Sequence, residues 1–148
     1  MSAKVFVDTN VLVYSRDTAQ LDKHTRASEW MRQLWGSGTG RLSMQVLSEF
    51  YALVTGKLKP GMEASLARED VKDLQSWNPL PLTADLFLEA WDIQDRFQLA
   101  WWDALIIAAA IELKCNYILS EDFQHHQHFY GIRVINPFQL DPKGLQDL

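Results

Sequence analysis

The sequence predicts an α/β fold, a three-layer α/β/α sandwich around a central, mostly parallel sheet of four or five strands. Three observations lead there. Four short runs of strand-forming residues, Lys4–Val7, Arg41–Ser43, Cys115–Ser120 and Ile132–Ile135, are separated by helical segments, the order that builds a parallel sheet with helices on both faces. The first run passes directly into Asp8-Thr9-Asn10, so polar groups stand at the carboxyl end of a strand, where open parallel sheets form their ligand crevice. Finally, Trp101–Ile111 is apolar almost all round, which implies a helix buried on more than one side.

Side-chain oxygens of Asp8 to Asn10 can cap a helix, so strand gives way to a short helix over about Val11–Ser15. Asp22–Trp35 is a longer helix, with Ala27, Trp30, Met31 and Leu34 on one apolar face. Gly36 to Gly40 breaks it as a flexible turn; this loop follows a helix and lacks the lysine and hydroxyl of a phosphate cradle. After the second strand, Gln45–Leu58 carries Val46, Leu47, Phe50, Tyr51 and Val54 on a helical stripe, with Glu49 beside it.

Lys59-Pro60-Gly61 stops that helix, and Glu63–Trp77 reads as the next. The prolines of Asn78–Leu82 keep the chain extended, after which Thr83 caps a helix through Phe97; these central helices are expected to pack as a hairpin on one side of the sheet. Asp103 falls in the first turn of the buried helix, where a carboxylate suits the dipole but needs a further partner or a wet cleft. Ser120-Glu121-Asp122 then follows the third strand as Asp8-Thr9-Asn10 follows the first.

His125-His126-Gln127-His128 has spacings that can ligate a metal, but no carboxylate or cysteine pattern completes a zinc motif, and a solvated turn is the expectation. Residues 1–138 are read as one domain, with 139–148 as a loosely attached tail that meets a partner or another subunit. A chain of 148 residues with 47% hydrophobic content suits one sizeable core. The net charge of -5 argues against a nonspecific basic coat for nucleic acid, while leaving room for a local basic rim.

The single cysteine, Cys115, excludes an internal disulfide and reads as a core thiol. No basic and apolar leader opens the sequence and no apolar run is long enough to span a bilayer, so a soluble cytoplasmic protein without membrane contact is expected.

Asp8, Glu49, Asp103 and Asp122, with Glu121 adjacent to the last, can converge at one edge of such a domain. Anionic groups sharing a pocket repel one another, and a hard cation with oxygen ligands, Mg²⁺ or Mn²⁺, is the remedy. Such a centre suits phosphodiester hydrolysis, because it orients the phosphate, activates a water and stabilises the departing oxygen. Asn10 and Ser120 would orient groups around it, with Thr9 supporting from behind. Taken singly, each acid is explained as well by a cap, a turn or an ion pair; their joint placement favours one centre.

Val7-Asp8-Thr9-Asn10, Glu49 within Val-Leu-Ser-Glu-Phe, Trp102-Asp103-Ala104-Leu105-Ile106 and Leu119-Ser120-Glu121-Asp122-Phe123 together resemble the PIN-domain family, in particular the VapC-type toxins of toxin–antitoxin pairs. The resemblance spans nearly all of Lys4–Phe138 and implies a Mg²⁺- or Mn²⁺-dependent endoribonuclease acting on RNA. It also implies a homodimer, and inhibition by a small antitoxin whose tail covers the site. The family's acids fall on Asp8, Glu49, Asp103 and Asp122 for catalysis and metal binding, and its supporting polar positions on Thr9, Asn10 and Ser120. The pair Trp101-Trp102 is bulkier than the family pattern before the third acid.

Trp30, Trp35, Trp77 and Trp91 are expected in the core or at subunit contacts, while of Trp101 and Trp102 one packs and the other lines the cleft, where a base can stack. Arg16, Lys57, Lys59, Arg68 and Arg96 are the candidate phosphate contacts. Two other functions fit the same scaffold: a protein-binding module without turnover, distinguished by the absence of Mg²⁺ or Mn²⁺ binding, and a structure-specific DNA or RNA nuclease, distinguished by substrate assay.

Overall fold

The computed structural model describes residues 2–148. Its sheet has five strands in the order β2 (Gly40–Arg41), β1 (Val5–Val7), β3 (Tyr117–Leu119), β5 (Ile132–Ile135) and β4 (His128–Phe129). Four of these run parallel, in a register that sets Val7 opposite Leu119 and Leu119 opposite Ile135. Helices cover the sheet, which is why β1 is buried at every position and its sequence is a continuous apolar run rather than an alternating one.

Among the described residues, six α-helices complete the layers: α1 (Thr9–Tyr14), α2 (Leu21–Ser37), α3 (Met44–Gly56), α4 (Ala64–Asp73), α5 (Ala84–Phe97) and α6 (Trp101–Glu112). Caps mark several of their starts: Ser43 Oγ accepts the Val46 N–H (3.3 Å) and Thr83 Oγ1 accepts the Leu86 N–H (3.2 Å). The Ser43 cap also ends the second strand earlier than its sequence suggests. Helix α6 is buried without interruption from Ala104 to Ala110, between α5 and β3, so it needs no polar face. Cys115 is buried beside it, and burial pushes its thiol up to about 12, which leaves it unreactive at neutral pH.

Three expectations are corrected. The central helices do not form one hairpin: α4 packs on α3, whereas α5 packs chiefly on α6. The segment 63–77 is not one helix, because α4 gives way to a 3₁₀ turn over Leu74–Trp77 that Asn78 closes in the left-handed region (φ 54). The tail is docked rather than loose, since a 3₁₀ helix over Pro142–Asp147 packs on α2 and the buried Trp30 Nε1–H donates to the carbonyls of Leu140 (3.0 Å) and Pro137 (3.3 Å).

The histidine patch divides. His128 opens β4, an antiparallel edge strand joined to β5 by Tyr130 and Gly131, both at positive φ (51 and 82) as a two-residue hairpin requires. His125 stays in a turn, where its Nδ1 accepts the Asn136 N–H (3.0 Å) and burial, together with His126 and Arg133, holds its pKa down. A neutral imidazole with that nitrogen engaged is a structural acceptor. Among the described residues no helix is long and apolar enough to cross a membrane.

Gly40 in β2 faces the Trp77 ring so closely that an added Cβ would lie 2.4 Å from its Cη2. Trp77 is nearly buried and braced by Trp35 at 5.2 Å, so the ring cannot swing away. Gly40→Ala is therefore expected to cost about 1–3 kcal/mol, seen as a lower denaturant midpoint with an unchanged slope.

Candidate active site

The parallel strands end in the residues that build the site. Asp8 leaves β1 nearly buried and caps α1, its Oδ1 accepting the Thr9 N–H at 2.7 Å. Ser120 leaves β3 fully buried and donates its hydroxyl to Asp8 Oδ2 at 2.7 Å. Asn10 spans the two chain ends, its Nδ2 within reach of Ser120 Oγ (3.1 Å), Asp122 Oδ2 (3.2 Å) and Asp8 Oδ2 (3.4 Å), while its Oδ1 accepts the Glu121 N–H (3.3 Å). The Asp122 N–H in turn donates to Ser120 Oγ (3.1 Å).

From the facing helix, Glu49 is held at both oxygens: Thr9 Oγ1 donates to Oε2 and Gln45 Nε2 to Oε1, each at 2.9 Å. Gln45 Nε2 also lies 3.3 Å from the Trp102 carbonyl, linking α3 to the first turn of α6, where Asp103 sits half-buried. All four predicted acids line a single cavity of about 590 Å³, with Val13, Leu53, Trp102 and Ile106 among its apolar walls. A second cavity of the same volume, lined by Arg16, Asp70 and Asp73, already holds the Arg16–Asp70 ion pair (2.6 Å).

Charge is what the acid cavity leaves unsettled. Burial raises Asp8 to about 7 against the opposing hydrogen bonds of Ser120 and Thr9, with Asp122 and Glu49 adding like charge. Asp103 is raised as well, first by burial and then by the same two neighbours. Among the described residues, no Lys, Arg or His forms an ion pair with any of the four. Their donor set is wholly oxygen, which fits a hard divalent cation, although no three His, Cys, Asp or Glu side chains of the described residues are drawn together as a closed ligand cluster.

The neighbouring acids differ in state. Glu121 pairs with Lys23 at 2.8 Å, and that ammonium stands 4.8 Å from the Tyr14 ring centroid and 5.1 Å from that of Phe138. Asp122 lacks such a cation and keeps its carboxylate on Asn10. Of the five basic candidates only Lys57 lines the acid cavity; Arg16 is tied to Asp70, Arg68 Nε donates to the Tyr51 hydroxyl (3.1 Å), and Arg96 stacks on Tyr130 (5.3 Å). Sequence reading missed Gln45 and Lys23. Gln45 was detectable from its four-residue spacing to Glu49, whereas Lys23 meets Glu121 only through the tertiary fold.

The family model described as PIN domain matches residues 5–128. The chain belongs to the PIN-domain family. Among solved structures, Mycobacterium tuberculosis VapC20, described as a Sarcin-Ricin loop cleaving toxin, is similar with a TM-score of 0.60 and 20% identity. That similarity covers 80% of this chain and 90% of the VapC20 chain, and it is a similarity of fold. A search of the curated proteins gave no match. In this PIN domain the matched segment contains all four acids together with Thr9, Asn10, Ser120 and Glu121.

Proposed function

We propose that this PIN domain is a divalent-metal-dependent endoribonuclease, the VapC-type toxin of a toxin–antitoxin pair. The observation that carries the reading is the convergence of Asp8, Glu49, Asp103 and Asp122 on one cavity with no ion pair to any of them among the described residues. Burial raises Asp8 and Asp103, with repulsion from Asp122 and Glu49 adding to it, and a hard cation would offset both. The fold similarity to a toxin that cleaves the Sarcin-Ricin loop supports RNA as the substrate class.

Asp8, Asp103, Asp122 and Glu49 would hold Mg²⁺ or Mn²⁺, which when bound supplies an activated water and charge stabilisation at the departing oxygen. The chain's own residues prepare that arrangement. Ser120, Asn10 and the Thr9 N–H fix the Asp8 carboxylate, while Thr9 Oγ1 and Gln45 fix both oxygens of Glu49. Lys23 holds Glu121 by an ion pair, which supports Asp122 as the fourth acid. Lys57, exposed in the cavity lining, is placed to meet a phosphate. Homodimerisation and inhibition by a small antitoxin belong to the same proposal.

Cleavage-product mapping on total RNA tests the reading. Discrete new 5′ ends are expected with Mg²⁺ or Mn²⁺ and none with EDTA or with Asp8→Asn. Equal cleavage in all these reactions overturns the site, and no cleavage of any RNA by pure, folded, metal-loaded protein overturns the function.

A further inference from the structure

Of the adjacent indoles Trp101 and Trp102, one is packed and the other is open. Trp101 meets Phe87 edge-on (5.2 Å, 89°) and lies nearly parallel to Trp91 (6.2 Å, 30°), so its ring anchors α6 to α5. Trp102 is 60% exposed, makes no aromatic pair among the described residues, and lines the same cavity as the four acids. An indole left in water forgoes the stabilisation its burial would bring, and this one immediately precedes Asp103 in the first turn of α6.

Its backbone is nonetheless held. The Trp102 carbonyl is within reach of Gln45 Nε2 (3.3 Å), and the same amide nitrogen donates to Glu49 Oε1 (2.9 Å). Both neighbours of that nitrogen are acceptors, so the amide is oriented with Nε2 toward them, and Gln45 Oε1 is left buried without a partner among the described residues. Gln45 thereby ties the indole-bearing turn to a carboxylate of the site, at the cost of one unsatisfied acceptor. The indole is attached to a fixed turn while much of its surface is open.

We infer that Trp102 is a nucleobase-stacking platform, so that the site takes an unpaired nucleotide whose base lies on the indole while its phosphate meets the acid-lined end of the cavity. The inference rests on the endoribonuclease reading and deepens it. A base can lie on an indole only when it has left its own helical stack, so the substrate class is single-stranded RNA or a loop with a splayed base. Stacking tolerates any base, so Trp102 contributes affinity for unpaired RNA and the choice of sequence lies elsewhere.

The test measures fluorescence anisotropy of a labelled single-stranded oligoribonucleotide in Ca²⁺ buffer with the full chain, its Trp102→Phe and Trp102→Ala variants, and Trp35→Ala as an exposed-indole control away from the acid cavity. Trp102→Ala is expected to weaken binding by about five- to hundredfold, the range that loss of one base–aromatic stack produces. Trp102→Phe should recover most of that loss, and Trp35→Ala, outside the acid cavity, should stay within about twofold of the native chain, as a substitution away from the site does. A scan of single abasic positions through the oligonucleotide should find one at which the native protein loses as much affinity as Trp102→Ala, with little further loss when the two are combined.

Unchanged binding by folded Trp102→Ala, or equal losses for Trp35→Ala, overturns the platform while leaving the nuclease reading in place. Additive losses at every abasic position overturn it as well. Should the native protein bind no RNA in Ca²⁺ buffer and cleave none in Mg²⁺ buffer, the platform and the nuclease reading fall together.

Discussion

On the proposed function, Asp8→Asn is expected to lower metal-dependent RNA cleavage by more than about a hundredfold while making the metal-free protein more stable, because a carboxylate that would hold the metal matters more than its supporting shell. The two effects share one cause. Asp8 is 4% exposed, and burial raises its carboxyl from 3.8 to about 7. Between those values the folded protein retains a proton that the unfolded chain has released. Stability therefore falls as pH rises across that window and levels off above it. The full difference corresponds to about 4 kcal/mol.

The carboxamide of Asp8→Asn would carry no charge to desolvate, but it would also lose part of the acceptor capacity that Ser120 and Asn10 now use on Oδ2. A net gain of about 2 kcal/mol at pH 8 is expected, or roughly 4–8 °C in Tm for a chain of this size. Thermal melts of both proteins in EDTA at pH 5 and pH 8 check it. Native stability should decline toward pH 8 more than that of Asp8→Asn, and parallel melts would show that Asp8 is not the strained group.

Metal binding is expected to release protons and to tighten steeply with pH. A carboxylate that holds a metal must be ionised, yet burial pushes Asp8 up to about 7 and raises Asp103 as well. Loading the centre at pH 6.5 must displace protons that are already absent at pH 8.5. Mn²⁺ affinity is accordingly expected to rise by about fourfold over that interval through Asp8, whose ionised fraction goes from about a quarter to nearly all, with Asp103 adding in the same direction. Titration calorimetry at pH 7 in two buffers of different ionisation enthalpy reads the protons directly. A buffer-independent heat would mean that the acids are already ionised in the free protein.

Much of this was legible because the sequence writes it locally. Val5-Phe6-Val7 ending in Asp8, and Tyr117-Ile118-Leu119 ending in Ser120, announce buried parallel strands with polar ends, and their pairing in register brings Ser120 Oγ to Asp8 Oδ2. Helix α6 was equally plain, since only burial on several sides explains an apolar run as continuous as Ala104–Ala110. Glu49 stood beside an apolar stripe, and the fold turns that stripe inward so that Glu49 reaches the Thr9 hydroxyl.

What stayed hidden depends on contacts distant in sequence. Strand β4 is two residues long, and its pattern is masked by the histidines around it; only the Tyr130-Gly131 hairpin reveals it. The Lys23–Glu121 pair, which separates Glu121 from Asp122, joins residues 98 positions apart. Helix α5 offers apolar residues to more than one neighbour, and its preference for α6 is decided by the Phe87, Trp91 and Trp101 rings meeting there.

Trp30 sets a practical limit on where this chain can be shortened. Its indole N–H reaches the carbonyls of Pro137 and Leu140, both downstream of residue 128, where the family match ends. A fragment cut to the matched segment would lose β5 from the sheet and leave a fully buried donor with no acceptor. The smallest piece expected to fold on its own therefore extends through Leu140, and expression trials are best designed around that residue rather than around the edge of the family signature.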